Sequence, residues 1–312
     1  MFIKSFKQLT KKDVSVAGGK GASLGEMTNA KIPVPPGFVL LASAFDRFLE
    51  ETDLLQEVEA QLAKVNYNDV NSVDRCSNVI RDLIGDAPMP KDLQQIILAE
   101  FKKLKAKFVA VRSSATAEDS SAASWAGELE TYLNTTDKTL LVNVKKCWSS
   151  LFTPRAIFYR HEKKLLKTRV SVAVVVQEMV ESEISGIAFT VHPVTQDKNQ
   201  MIIEAGYGLG EAIVSGSITP DSYIIDKRDY SLIDVNIVAQ ERQIVKCLRQ
   251  GTKWLPVKKT EQEKQKLNGR QIIELAKICA NIEKHYKFPC DIEWAYYKNE
   301  FYITQSRPIT TL

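Results

Sequence analysis

Two rhythms of apolar and polar residues run along this chain. Up to about residue 165 most apolar positions recur at helical spacing, interrupted by a few short apolar runs. Beyond residue 181 short apolar runs alternate with turns, the mark of β-structure. In the first part Phe38-Val-Leu-Leu follows the stiff turn Pro33-Val-Pro-Pro-Gly37 and predicts a strand. Ala44, Phe45, Phe48 and Leu49 share one face of the next helix, with Ser43 as its expected N-cap. Residues 54–107 read as helix, broken at 66–71 and 85–90. Residues 108–111 and 130–133 are expected strands. A long amphipathic helix over 140–164 buries Val144, Cys147, Trp148, Leu151 and Phe152, and Pro154 kinks or divides it. Residues 172–176 are Val and Ala alone, a strand buried on both faces. In the second part strands are expected at 186–190, 201–204, 222–226, 233–238, 244–248 and 253–257. They precede a mostly helical 260–286 with Ile272, Leu275, Ile278 and Ile282 in a stripe.

The change of rhythm places a boundary at 180/181, dividing an N-terminal lobe, 1–180, from a C-terminal lobe, 181–312. No Gly/Ser/Pro linker separates them, so the expectation is an α+β protein with two packed lobes. Composition adds little beyond excluding other classes. The chain is 44% apolar and 26% charged, which fits an ordinary folded protein rather than a disordered one. Its net charge of +4 comes from well-mixed basic and acidic residues, so no nucleic-acid footprint is expected. The five cysteines are odd in number and lack a C-x-x-C pair, which argues against a disulfide framework or a zinc site. The start has no apolar signal core and no run reaches membrane-spanning length. A cytoplasmic location with no membrane contact is therefore expected.

Three stretches carry candidate chemistry. Arg112 opens a loop of hydroxyl and small residues running through Gly127, a segment able to turn many backbone N–H groups toward an anion. A Ser/Ala linker would look similar but needs neither Arg112 at its root nor Trp125 near its tip. Gly18-Gly-Lys20-Gly opens a short helix with Leu24 and Met27 inward. Its first N–H groups and Lys20 can meet a phosphate, and the same residues equally suit a plain turn. The buried strand at 172–176 ends in Gln177-Glu178-Met179-Val180, where backbone and amide groups can bond an adenine edge; an ordinary strand end reads equally well.

The end of the chain reads as a hairpin, 291–297 and 301–307. A three-residue turn over 298–300 would oppose Tyr297 to Phe301, Ala295 to Ile303, Glu293 to Gln305 and Asp291 to Arg307, all on one face. The polar end of that face would suit Mg²⁺ with a polyphosphate. A two-residue turn would move Gln305 to the other face and dissolve the group. An exposed hairpin with a cross-strand Asp–Arg pair is the structural alternative.

Taken together, Gly-Gly-Lys-Gly-Ala at 18–22, Ile-Pro-Val-Pro-Pro-Gly-Phe at 32–38 and Val-Arg-Ser-Ser-Ala at 111–115 resemble one family. So do Gln-Glu-Met-Val at 177–180, Gly-Leu-Gly-Glu-Ala at 208–212, and Asp-Ile-Glu-Trp with Gln-Ser-Arg-Pro near the end. The family is the N-terminal ATP-binding domain of phosphoenolpyruvate synthase, pyruvate phosphate dikinase and rifampicin phosphotransferase. The resemblance implies an ATP-grasp fold with ATP and Mg²⁺ in a cleft between two lobes. By the same resemblance Lys20, Arg112 and Arg307 would bind phosphates, and the segment from Gly127 to Thr131 would cover them. Gln177 with the backbone of Glu178, Met179 and Val180 would hold adenine, and Glu293 and Gln305 would bind the metal. In that family the β-phosphoryl of ATP passes to a histidine on a separate domain, leaving AMP. A third site then transfers it to pyruvate or to a drug hydroxyl.

The chain departs from the full pattern in lacking the histidine motif and an acceptor domain. Its histidines, His161, His192 and His285, read as structural. The expectation is thus the phosphoryl-donating component of a dikinase, working with a phosphohistidine domain in trans or in a further part of the protein. The rifampicin phosphotransferase type, a non-catalytic ATP-binding regulatory module and an acyl-phosphate-forming ligase are the alternatives.

Overall fold

The computed structural model describes residues 1–116, 130–165, 171–247 and 251–309. They form two compact units. The first joins Met1–Glu26 to Pro36–Met179, and the second joins Met27–Pro35 to Val180–Leu312.

In chain order the first unit contains β1 (Ile3–Ser5), most of α1 (Val14–Asn29), β2 (Gly37–Leu40), α2 (Ala42–Glu51), α3 (Leu54–Ala63), α4 (Val70–Asp86) and α5 (Lys91–Leu104). Then follow β3 (Val109–Ala115), β4 (Thr131–Thr135), α6 (Leu140–Ser149), α7 (Pro154–Glu162) and β5 (Val172–Glu178). The strands make one antiparallel sheet ordered β1-β2-β5-β3-β4. β5 lies at its centre, which explains the unbroken Val/Ala run: Val172 to Val176 are all fully buried. The helices cover the sheet around Trp148, whose ring lies 5.0 Å from Phe48 and 5.5 Å from Phe45. Pro154 divides the helix expected over 140–164. It occupies the first turn of α7, where its missing N–H costs nothing, and the Thr153 side chain caps that helix. Ser43, by contrast, is not a cap. α2 begins one residue earlier with Leu41 at the N-cap position and no side-chain capping bond.

The second unit contains β6 (Ile184–Phe189), β7 (Gln200–Tyr207), α8 (Glu211–Val214), β8 (Asp221–Asp226), β9 (Leu232–Asn236), β10 (Arg242–Lys246), β11 (Thr252–Pro256), α9 (Gly269–Tyr286), β12 (Cys290–Tyr297) and β13 (Glu300–Pro308). Six strands form an antiparallel sheet ordered β13-β12-β6-β7-β8-β9, and β10 pairs with β11 apart from it. The helix expected over 260–286 is shorter at its start. Asn268 caps it in a capping box with Gln271, and its buried stripe is Ile272, Leu275, Ala276, Cys279 and Ile282, with Ile278 only half-buried. Thr190, Lys227 and Glu283 tie α9 to the sheet, Lys227 Nζ reaching Glu283 at 2.8 Å. The segment Met27–Pro35 adds a bond to the outer strand, Ile303 N–H to Pro33 O at 2.8 Å. Beneath β8 lies a fully buried ion pair, Lys266 to Asp221 at 2.8 Å with neither side chain exposed. Asp221 also accepts from Val238 N–H, Lys266 N–H and Tyr223 Oη, so its oxygens are well supplied. Among the described residues no helix is long and apolar enough to cross a membrane.

Candidate functional site

In the first unit Gly18 governs the candidate phosphate-binding groups. Its φ of 69° and ψ of 171° break α1, so that a fresh helix start follows at Gly19 and Lys20. A Cβ at Gly18 would stand 2.2 Å from Ser114 Oγ and 2.4 Å from Ser114 O. Glycine thus brings the loop against β3, and Gly21 N–H donates to Ser114 Oγ at 3.3 Å. Two residues before Ser114 along β3 is Arg112, 8% exposed, opposite Thr131 on β4 and Val175 on β5. The exposed Thr131 begins the strand that returns to Arg112. Gly127, the other residue expected to cover the phosphates, lies outside the described residues.

Glu130 anchors that return. Its carbonyl accepts from Ser113 N–H at 3.1 Å and Ser113 Oγ at 2.8 Å. Its carboxylate pairs with Arg81 at 2.8 Å and accepts from Tyr132 Oη. Burial first, then the Glu130 hydrogen bond, push the Tyr132 hydroxyl well above its usual value. Cys147 is also raised well above its usual value, chiefly by burial and further by Glu130, while the charge of Lys20 acts the other way. The side chains of Lys20 and Glu130 are therefore both electrostatic neighbours of one thiol on α6.

At the end of β5, Gln177 is 2% exposed and pairs with Gly37 and Ala110. Glu178 N–H donates to Pro36 O at 2.8 Å and Met179 N–H to Phe108 O at 3.1 Å, so both donors serve the fold. In an antiparallel pair the opposed residue returns a bond, but Pro36 has no N–H to give. The carbonyl of Glu178 is left without that ladder donor at the strand end. Pro36, which looks in sequence like a turn residue alone, thus creates an acceptor.

In the second unit the hairpin differs from the expectation at its turn. Tyr297 opposes Glu300, leaving a two-residue turn in which Lys298 and Asn299 both have positive φ, 50° and 64°. Tyr296 therefore opposes Phe301, Ala295 opposes Tyr302, and the expected Tyr297–Phe301 and Ala295–Ile303 pairs do not form. Continued, this register would send Gln305 to the opposite face from Glu293. A bulge intervenes: Trp294 opposes Ile303 but Glu293 opposes Gln305, with Thr304 as the extra residue. The bulge reverses the alternation and returns Gln305 and Arg307 to the face of Glu293 and Asp291.

The register extends across the sheet. Gln305, Glu293, Ile187, Glu204 and Ser222 form one transverse row over β13, β12, β6, β7 and β8. The next row holds Arg307, Asp291, Phe189, Ile202 and Ile224 on the same face. Arg307 donates through Nε to Asp291 at 2.8 Å, and its Nη2 lies 2.7 Å from the same oxygen. Burial holds the Asp291 carboxyl above its ordinary value, opposed by Arg307 and reinforced by Glu293. Burial likewise raises Glu204, with Asp291 adding to the shift. Sequence reasoning missed Glu204, because its place beside the hairpin depends on three strand pairings.

Glu293 and the amide of Gln305 offer hard oxygens, the donors Mg²⁺ takes, while the Asp291 carboxylate is engaged by Arg307. Among the described residues no three His, Cys, Asp or Glu side chains gather closely enough to hold a metal by themselves. An ion held by Glu293 and Gln305 would therefore have to take its remaining ligands from phosphate and water. The histidines have other tasks. His192 Nδ1 accepts from Val194 and Thr195 N–H at 3.2 Å each, and His161 stacks on Tyr67 at 3.8 Å. His285 meets Tyr286 edge-on at 5.3 Å.

A family profile described as the pyruvate phosphate dikinase AMP/ATP-binding domain matches residues 14–312. The chain is 47% identical to a probable phosphoenolpyruvate synthase of Methanocaldococcus jannaschii, over all of this chain and 27% of that protein. It is 41% identical to the phosphoenolpyruvate synthase of Pyrococcus furiosus, over all of this chain and 44% of that protein. Against the rifampicin phosphotransferase of Bacillus subtilis the identity is 38%, over 98% of this chain and 35% of that protein. The chain spans less than half the length of these relatives.

Proposed function

The chain belongs to the family of pyruvate phosphate dikinase AMP/ATP-binding domains, and from that premise we propose that it is the Mg-ATP-binding, phosphoryl-donating component of a phosphoenolpyruvate synthase-type dikinase with the ATP-grasp fold. In this reading Lys20, Arg112 and Gln177 of the first unit and Glu293, Gln305 and Arg307 of the second are nucleotide-binding residues. Lys20 and Arg112 balance phosphate charge, and Thr131 serves with them. Gln177 and the Glu178 carbonyl accept from the adenine amino group, and the backbone of Met179 and Val180 lines the base. Glu293 and Gln305 hold Mg²⁺, which neutralises phosphate oxygens and orients the chain of phosphates. Arg307, steadied by Asp291, meets a phosphate.

Phosphoryl transfer needs little covalent help from the protein, so positioning and charge neutralisation are the work of these side chains. The β-phosphoryl goes to a histidine nitrogen outside this sequence, AMP leaves, and the γ-phosphoryl passes to water as inorganic phosphate. The supporting observation is the Thr304 bulge, which gathers Glu293, Gln305, Asp291 and Arg307 on one face. The higher identities to phosphoenolpyruvate synthases favour pyruvate as the final acceptor over a drug hydroxyl. Calorimetric titration with Mg-ATP tests the site: R112A and E293A each lose binding while the protein stays folded. Wild-type affinity in both variants would defeat the assignment.

A further inference from the structure

One carboxylate on the second unit's sheet has no assigned task. Glu204 is half-buried on β7, and among the described residues its side chain makes no hydrogen bond or ion pair. The charged group acting on it is another carboxylate, Asp291. A partly desolvated carboxylate without a hydrogen bond or ion pair is unfavourable in the protein alone. A Cβ at Gly186 would come within 1.8 Å of the Glu204 carbonyl oxygen, so glycine on β6 is what lets β7 approach at this residue. Strand pairing puts Glu204 in the transverse row of Glu293 and Gln305, with Ile187 between. Two strand spacings separate it from Glu293, about 10 Å at the backbone. That span is too long for both to bind one ion directly unless their side chains converge, and no such three-residue cluster is present among the described residues.

We propose that Glu204 is a positioning residue for the metal of the nucleotide complex, its carboxylate accepting hydrogen bonds from metal-bound water while Glu293 and Gln305 provide the direct protein ligands. The inference rests on the reading of this hairpin as the Mg-ATP site. The chemistry favours it: Mg²⁺ keeps several of its waters, and those waters are strong donors in search of anionic acceptors. Ile187, between the two acids in the row, offers no competing polar group. A bound cation would also supply the compensation that Glu204 lacks.

The test is calorimetric titration of ATP into the protein, once with Mg²⁺ and once with a chelator, for wild type, E204Q and E293Q. Free Mn²⁺ is then followed by electron paramagnetic resonance at saturating ATP. In E204Q the gain in ATP affinity brought by Mg²⁺ falls on the order of tenfold, as does Mn²⁺ affinity. Binding of metal-free ATP stays within about twofold, by this assignment of Glu204 to the metal alone. Equal losses with and without metal would mean that Glu204 touches the nucleotide itself, and no loss would mean that it is a bystander; either overturns the proposal. E293Q separates the levels. If E293Q also leaves the metal-dependent gain intact, the metal site itself is misplaced. If E293Q abolishes the gain and E204Q does not, only the role of Glu204 fails.

Discussion

Replacing Gly18 by alanine tests the link between local backbone geometry and ATP binding. At φ 69° and ψ 171° the residue sits where side chains other than hydrogen are strained, at a cost of about 1–3 kcal/mol. The new methyl would also lie 2.2 Å from Ser114 Oγ and 2.4 Å from Ser114 O, well inside ordinary contact. Ser114 cannot retreat, because it is fully buried in β3 and paired with Ala173 of β5. The loop must therefore move, carrying Lys20 with it. We expect G18A to lose about 3 kcal/mol if the loop stays, on the order of 6–12 °C in melting temperature. If the loop yields instead, stability falls less and Mg-ATP affinity falls at least about tenfold, through the displaced Lys20. Differential scanning fluorimetry and calorimetric titration read the two quantities. The double variant G18A/S114A should not recover, since the Ser114 carbonyl remains in the way. A G18A protein with wild-type melting temperature and wild-type affinity would refute the reasoning.

Other outcomes follow from the same physical arguments. Breaking the buried Lys266–Asp221 pair from one side, as in K266M, leaves an uncompensated charge and should cost about 3–5 kcal/mol by chemical denaturation. D221L/K266M should recover only part of that loss, because Val238 N–H, Lys266 N–H and Tyr223 Oη would lose their acceptor. E204Q removes a half-buried charge without a partner and should raise the melting temperature of the nucleotide-free protein slightly, by about 1–3 °C near neutral pH. The pH dependence carries the matching sign. Glu204 and Asp291 have raised folded-state values, so their contribution is fully present below the ordinary carboxylate range and is lost as pH rises through the raised values. E204Q should flatten that loss in a stability-against-pH profile, and an unchanged slope would show that Glu204 is well solvated.

Much of the fold was legible because its signals are local. The Val/Ala run of β5, the Pro154 division and the break before Lys20 each announce themselves in a few residues. The hairpin shows where local reading stops. Lys298 is an unusual first residue for a turn with two positive φ values, so nothing local marks the two-residue turn. The pairing of Glu293 with Gln305 nevertheless occurs, for a different reason: the bulge at Thr304 compensates for the shorter turn. No local pattern marks that bulge. The same limit hid Glu204, whose neighbours come from strands distant in sequence, and Pro36, whose effect on Glu178 depends on β2–β5 register. Ser43 failed as a cap because helix α2 begins one residue before it.

The central claim concerns the fate of the β-phosphoryl group. The most direct measurement mixes this chain with the phosphohistidine domain of a relative, Mg²⁺ and ATP labelled in its β-phosphate. The account predicts AMP release with acid-labile label on the histidine of the added domain, and loss of both with R112A or E293A. Release of ADP in place of AMP, or binding of Mg-ATP without any transfer of label, would contradict it.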